Sequence, residues 1–332
     1  MTGQGRWYGD ALAPPVLVPK ESMTTSPPSP PPALQRRLTR EEIDAAVREG
    51  DLHRMGVRPP LGSYLRQLWR RRDFTVVLAT SKATARHQNN YLGQLWALIN
   101  PILNAFVYVL IFGFVLHVSR EGTNNAVAFV VIGIFMFRFF ETSVNAGVKS
   151  IKDNISLVRS VHFPRAVLPI AGVLAELTTL LPAIVVMVLI AWGSGFIPDP
   201  AFGAVPITWR WLLVPPAVAL LWLFNTGCAF MVARWVAITP DLQNVIPYIM
   251  RFLMYGSGVI FSIDRFLDPP ASTVLQYQPV AVYLYLARSS IMDDPSFPLD
   301  PVMWAAGAAW ALVFLVVGFL VFWRGEERYG RD

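Results

Sequence analysis

Six stretches of about twenty predominantly apolar residues recur along the chain, the length an α-helix needs to cross roughly 30 Å of hydrocarbon. Hydrocarbon offers no water to satisfy backbone N–H and C=O groups, so each crossing segment must close its own hydrogen bonds as a helix. An all-α integral membrane bundle follows. We place the spans at about Leu95–Val118, Ala126–Val144, Ala166–Trp192, Trp211–Ala233, Val245–Ile263 and Val302–Trp323, the second and fifth being the least apolar. The composition agrees: 54% of residues are hydrophobic and 15% charged, against about 25% charged in soluble domains.

Charge orients the bundle. The net charge of +6 could suggest a nucleic-acid partner, but an excess of Lys and Arg is what the positive-inside rule expects of a membrane protein. With both termini in the cytoplasm, 22 of the 28 Lys and Arg fall on the inner side and four on the outer. The inner loop carrying Lys149, Lys152, Arg159 and Arg165 alone gives the same orientation. Cys228 is the single cysteine and lies in an apolar run, so no intrachain disulfide can form.

Three regions divide the chain. Residues 1–60 form a Pro-rich cytoplasmic arm, with Ser-Pro-Pro-Ser-Pro-Pro-Pro from Ser26 to Pro32, which favours polyproline II and should be disordered. No secretory h-region interrupts the arm, although Thr39 to Gly50 has the caps of a short helix. Residues 61–93 form an amphipathic interfacial segment. Leu61, Tyr64, Leu65, Leu68 and Trp69 fall at helical spacing beside Arg66, Arg70, Arg71 and Arg72; a solvated basic helix is the alternative. Residues 94–332 hold the six spans. Between spans five and six, Ala271–Met292 is too polar for lipid, and we read it as a re-entrant pair of short helices on the outer side.

The chain lacks most catalytic signatures. There is no GxxxxGK[ST] loop, so it cannot cradle nucleotide phosphates in that manner, and no GxSxG, HExxH or CxxC occurs. Cofactors are therefore not expected on this chain. The adjacent Asp293 and Asp294, near Arg288, leave room for a membrane-embedded enzyme on an isoprenoid or glycolipid, but a solvated loop accounts for them as well. Charges inside spans are costly and usually face protein or water. Arg138 and Glu141 sit three apart and can neutralise each other; alternatively Arg138 or Arg251 meets an anionic group in a translocation path, and Glu176 is a packed or proton-sharing residue. Aromatics crowd the first two spans, among them Phe106, Tyr108, Phe135, Phe137 and Phe139, and serve either as helix contacts or as pathway lining for sugar rings. On the inner side Ile151, Ile155 and Val158 recur at helical spacing while Lys149, Lys152, Asp153 and Asn154 form a polar face, which suits a short helix across the membrane surface.

The opening of span one, Tyr91-Leu-Gly-Gln-Leu-Trp96-Ala-Leu-Ile-Asn-Pro101, resembles the YxLGxLWxxxxP opening of the type-2 ABC exporter permeases that move O-antigen and cell-wall polysaccharide. Asn154-Ile-Ser-Leu157-Val158, Phe163-Pro164-Arg165, Leu168-Pro169, Asp241, Gln278-Pro279 and Arg288 follow in that family's order, from about Leu61 to the end. Two features depart from it. Span two reads Phe135-Met-Phe137-Arg138-Phe-Phe140-Glu141 where the family commonly has Pro-Trp and small polar residues, and the long arm is not general to the family. The arm and the ending Phe322-Trp-Arg-Gly-Glu-Glu-Arg-Tyr-Gly330 look most like actinobacterial members that export lipid-linked galactan.

The resemblance implies a homodimeric permease in a bacterial cytoplasmic membrane, with two copies of a separate ATPase subunit binding ATP and Mg. Its substrate would be a polyprenyl-pyrophosphate-linked glycan. The residues read as candidates for the substrate pathway are Phe106, Tyr108, Phe135, Phe137, Arg138, Phe139, Arg251 and Arg288. ATPase coupling would fall to Lys149, Lys152, Asp153, Asn154, Leu157 and Val158. A small-molecule or drug exporter of the same fold stays open. Proton-driven transport has less support, since no internal repeat or pair of interrupted half-helices is evident.

Overall fold

The computed structural model describes residues 59–85, 95–108, 110, 123–161, 163–197, 203–263, 268–326 and 329, and every regular element among them is a helix. The Pro-rich arm, the expected helix from Thr39 and the second half of span one lie outside the described residues. Two amphipathic helices come first, α1 (Leu61–Arg70) and α2 (Arg72–Ala85). The expected single stripe of α1 divides. Tyr64 is buried, whereas Trp69 is 70% exposed beside Arg72, whose guanidinium lies 5.2 Å from the indole. Helix α3 (Trp96–Tyr108) follows.

Helix α4 (Ala126–Lys149) is the centre of the bundle, packing on α6 (Val167–Ser194), α7 (Val214–Ile238) and α10 (Pro279–Ile291). Asn125 caps it: the side-chain oxygen accepts the Ala128 N–H at 2.8 Å, while the amide donates to Ser194 Oγ and the Gly203 carbonyl. The helix runs past the expected end at Val144. Its continuation through Gly147 is pressed so closely on α7 that a Cβ there would meet Ala229 at 2.7–2.9 Å. Lys149 thus sits in the last turn of α4, and the expected surface helix begins later, as a 3₁₀ turn at Lys152–Asn154 and α5 (Ile155–Ser160).

Helix α7 is preceded by a 3₁₀ turn at Trp209–Leu213, and it packs along α11 (Pro301–Trp323). Gly318 lies against the backbone of Gly227, and Gly227 against the backbone of Phe314 and Leu315, so that a Cβ on either glycine would fall well inside 3.0 Å of the opposite helix. Lipid is as apolar as leucine, so helix association inside it relies on dispersion and close approach; small residues at the seam supply both. Ala79, Ala171 and Ala175 make a second small-residue seam between α2 and α6.

Among the described residues four helices are long and apolar enough to cross a membrane: Ala126–Lys149, Val167–Ser194, Trp209–Ile238 and Pro301–Trp323. The first is 83% buried by the other helices and the last 22%, which separates a central helix from a peripheral one. Helix α8 (Leu242–Gly256) is shorter than the expected fifth span. It closes at Ser257 and Gly258, whose φ of +71° belongs to the left-handed region, and the chain then turns away. The segment expected as a pair of short helices is one: α9 (Ala271–Gln276) and the almost wholly buried α10.

Candidate coupling face, pathway and outer cleft

The inner segment is two-sided. Val158 of α5 packs with Phe163, Val167 and Leu168, and around them gather Leu68 of α1 and Phe74 and Leu78 of α2. Phe74 and Phe163 meet edge to face at 5.6 Å. Lys149, Lys152 and Asp153 are exposed, Asn154 and Leu157 are half-buried, and the Asn154 amide donates to the Ser150 carbonyl at 2.7 Å. One side is fastened to α1 and α2 and the other carries exposed charge, so a protein docking there would push on α1, α2 and α6 together.

A polar node behind this face was not visible in the sequence. The Tyr64 hydroxyl donates to Glu326 Oε2 at 2.8 Å and accepts the Ala166 N–H at 3.1 Å. The Arg165 N–H donates to Glu326 Oε1 at 3.0 Å, and Arg165 Nη1 donates to the Glu326 carbonyl. Tyr329 stacks on Phe322 at 4.6 Å with the Arg234 guanidinium 5.7 Å from its ring. Three parts of the chain therefore meet at one carboxylate: α1, the entry to α6 and the stretch after α11. Burial pushes the Glu326 carboxyl above the usual carboxylate range, against the pull of its bonds from Arg165 and Tyr64. Burial, and then Glu326 itself, raise Tyr64, which stays a protonated donor. No motif links residues 64, 165 and 326 because their spacing carries no period.

The sequence-predicted pathway residues separate into inward and outward groups. Phe135, Phe137 and Phe139 are buried in the chain's own core. Phe137 packs edge to face on Phe140 at 5.9 Å, Phe140 stacks on Phe224, and Phe224 lies 5.0 Å from Tyr283 and 4.8 Å from Phe314. Phe106 is 62% exposed, and the side chain of Tyr108 lies outside the described residues. Arg138 is the exposed position in the middle of α4 and reaches Glu141 at 3.6 Å, so the expected pairing forms at a surface rather than in the core. Glu176 is buried in α6. Arg251 is exposed on α8, and around it Tyr248, Phe252 and Tyr255 are exposed too. The spacing of these three aromatics, four and then three residues, was the signal that could have found them.

Arg288 has a different environment. Its side chain is buried, and Nε and Nη2 donate to the Phe129 carbonyl, Nη2 also to Val259, and Nη1 to Gly258, at 2.9–3.3 Å. The guanidinium carbon lies over Phe129, 3.4 Å from the ring centroid. It ties α4, α10 and the turn after α8 into one unit. Beside it opens a cleft of about 430 Å³ lined by α9, α10, the 257–263 turn and residues 296–303.

Asp293 and Asp294 are neither a solvated loop nor a free catalytic pair. Asp293, at φ +48°, holds Arg210 at 2.6 Å, and buried Asp294 accepts from the Asn124 N–H at 2.6 Å, Ser296 N–H at 2.8 Å and Thr123 Oγ1 at 3.2 Å. Together they clamp the start of α4 to the loop before α11.

Comparison with known proteins matches residues 75–292 to the ABC-2 type transporter family model. The chain is 26% identical to the O-antigen export system permease protein RfbA of Myxococcus xanthus, over 81% of this chain and 98% of that protein. It is 23% identical to a Klebsiella pneumoniae protein of the same name, over 77% and 93%. The Escherichia coli polysialic acid transport protein KpsM is 26% identical over 71% of this chain and 87% of its own. A match across most of the bundle, with the buried arginine and the charged inner segment inside its bounds, makes this chain a member of the ABC-2 type transporter family.

Proposed function

We propose that the chain is the membrane subunit of an ATP-driven exporter moving a polyprenyl-pyrophosphate-linked polysaccharide outward. The observation that carries this reading is the similarity to an O-antigen export permease over almost that protein's full length. In this reading six spans cross a bacterial cytoplasmic membrane with both termini inside; α3 begins the first and α8 forms the fifth. Helices α9 and α10 form a re-entrant pair on the outer side. Two copies assemble with two ATPase subunits, which bind the ATP and Mg that a chain without a nucleotide loop does not. Each ATPase docks on the Lys149–Val158 segment. Phe106, Arg138, Tyr248, Arg251, Phe252 and Tyr255 face the pathway, where a guanidinium can meet the pyrophosphate and aromatic rings can meet sugar faces. The narrower substrate, cell-wall galactan, rests on the likeness of the N-terminal arm and C-terminal ending to actinobacterial exporters.

Depleting the protein in its host and following radiolabelled lipid-linked glycan on either side of the membrane tests the proposal. Inner accumulation, reversed by the wild-type chain and not by an Arg251→Gln chain of equal abundance, is the expected result. Unchanged outward glycan after depletion would refute it, and loss of drug efflux instead would assign the chain to small-molecule export.

A further inference from the structure

The cleft beside Arg288 has a lining that the export reading does not use. Tyr277 and Phe297 line it, the Phe297 ring resting on Phe129 and Tyr285, the Tyr285 hydroxyl donates to the Pro298 carbonyl, and Thr273 is an exposed position of the lining. Aromatic faces cover the C–H faces of a pyranose, and hydroxyls around them exchange hydrogen bonds with the ring substituents. Ser257 adds an independent sign. Its side chain is 1% exposed and lines the cleft, yet its hydroxyl has no partner in the protein, and a buried polar group in that state calls for one from a ligand or water. A volume of about 430 Å³ has room for a short glycan segment.

The charges on the wall decide what kind of glycan fits. Among the described residues lining the cleft Arg288 is the one cation, and its donors are turned onto three backbone carbonyls. It does not present a bidentate fork to an anion. Asp300 contributes a carboxylate, one oxygen of which accepts the Val302 N–H at 2.8 Å. A pyrophosphate would meet this carboxylate without an offsetting fork. We infer that the cleft is a binding site for an uncharged stretch of glycan, gripped by Tyr277 and Phe297 and completed by the Ser257 hydroxyl. That this glycan is the exported chain, held as it leaves the pathway, rests on the export reading above.

The test uses the full chain in lipid nanodiscs. Saturation-transfer NMR is run with a panel of neutral galacto-, gluco- and manno-oligosaccharides, and inorganic pyrophosphate, which has no C–H protons to report its own binding, is added as a competitor. At least one neutral oligosaccharide should give a saturable signal that pyrophosphate does not compete away. Thr273→Trp, which fills the cleft from an exposed position, and Tyr277→Ala should each weaken it about tenfold or more. Ser257→Ala should weaken it less, and it carries the test if either larger change prevents folding. No signal from any member of the panel, wild-type binding by folded variants, or competition by pyrophosphate would overturn the inference. Binding that persists while depletion leaves glycan export unchanged would separate the two readings, sparing the cleft and removing the exporter.

Discussion

Arg288 offers the sharpest division between an architectural and a pathway role. Arg288→Met keeps a long side chain and removes every donor, so the carbonyls of Phe129, Gly258 and Val259 lose their side-chain partner. The Phe129 carbonyl keeps its intrahelical N–H partner, so two acceptors are left unsatisfied at about 1–3 kcal/mol each, about 2–6 kcal/mol together. Removing a buried charge recovers part of that through its relieved desolvation, which leaves a net loss in the lower half of that range, about 3 kcal/mol. At about 2–4 °C per kcal/mol, the thermal transition of the purified protein should fall by about 6–12 °C. Arg288→Lys should also fall, since an ammonium cannot span three carbonyls in the plane of a guanidinium. Both variants are to be compared with the wild type by thermal unfolding in one detergent, alongside export in cells at equal abundance. An Arg288→Met protein as stable as the wild type and inactive in export would refute the architectural account and return this residue to the pathway.

Three further outcomes follow from other parts of the fold. The Glu326 carboxyl, raised by burial, binds its proton more tightly in the folded protein, so its stabilising contribution is complete below the unfolded pKa and is lost as pH rises through the folded one; Glu326→Gln should flatten the decline in Tm from the ordinary Glu range upward, and an unchanged slope would exclude this group as its source. Gly318→Leu drives a side chain into the Gly227 backbone and should cost at least about 1–3 kcal/mol, read as a lower Tm, whereas Gly62→Leu, with no atom within 4 Å, should leave Tm unmoved. Asp153→Arg, at an exposed position of the inner segment, should reduce ATPase co-purification or uncouple hydrolysis from export while the Tm stays at the wild-type value; unchanged co-purification, hydrolysis and export together would remove the segment from the mechanism.

The parts of the fold legible in the sequence were those set by local rules. Apolar length located the four long helices, and the three-residue spacing of Arg138 and Glu141 gave their pairing. What escaped depends on contacts distant in sequence. Tyr64 read as part of a lipid-facing stripe, but its hydroxyl bonds a carboxylate 262 positions away. Phe137 and Phe140 were as plausible on a pathway wall as in a core until Phe224, Tyr283 and Phe314 arrived from three other helices. Arg288 fell in a motif-like position, yet its acceptors are backbone carbonyls, which every residue type carries and which leave no trace in sequence. The extent of α8 turned on a single left-handed residue, Gly258, in a stretch whose apolar content continues through Ile263.

The glycine-on-glycine contact between α7 and α11 has a mechanical consequence. A seam lined by long side chains can slide, since rotamers rearrange in small steps and keep the surfaces in touch. Where Gly318 lies on the Gly227 backbone and Gly227 on the backbone of Phe314 and Leu315 there is no rotamer to change, and a displacement along the helix axes would drive neighbouring side chains into gaps too small for a methyl group. These helices are therefore keyed, free to move as one strut and unable to shear. Strain delivered to Glu326, just beyond the end of α11, passes undamped along that strut to Gly307, where the peptide carbonyl holds the Tyr283 hydroxyl of α10 at 2.8 Å. A push at Glu326 is thus carried along α11 to the Tyr283 hydroxyl.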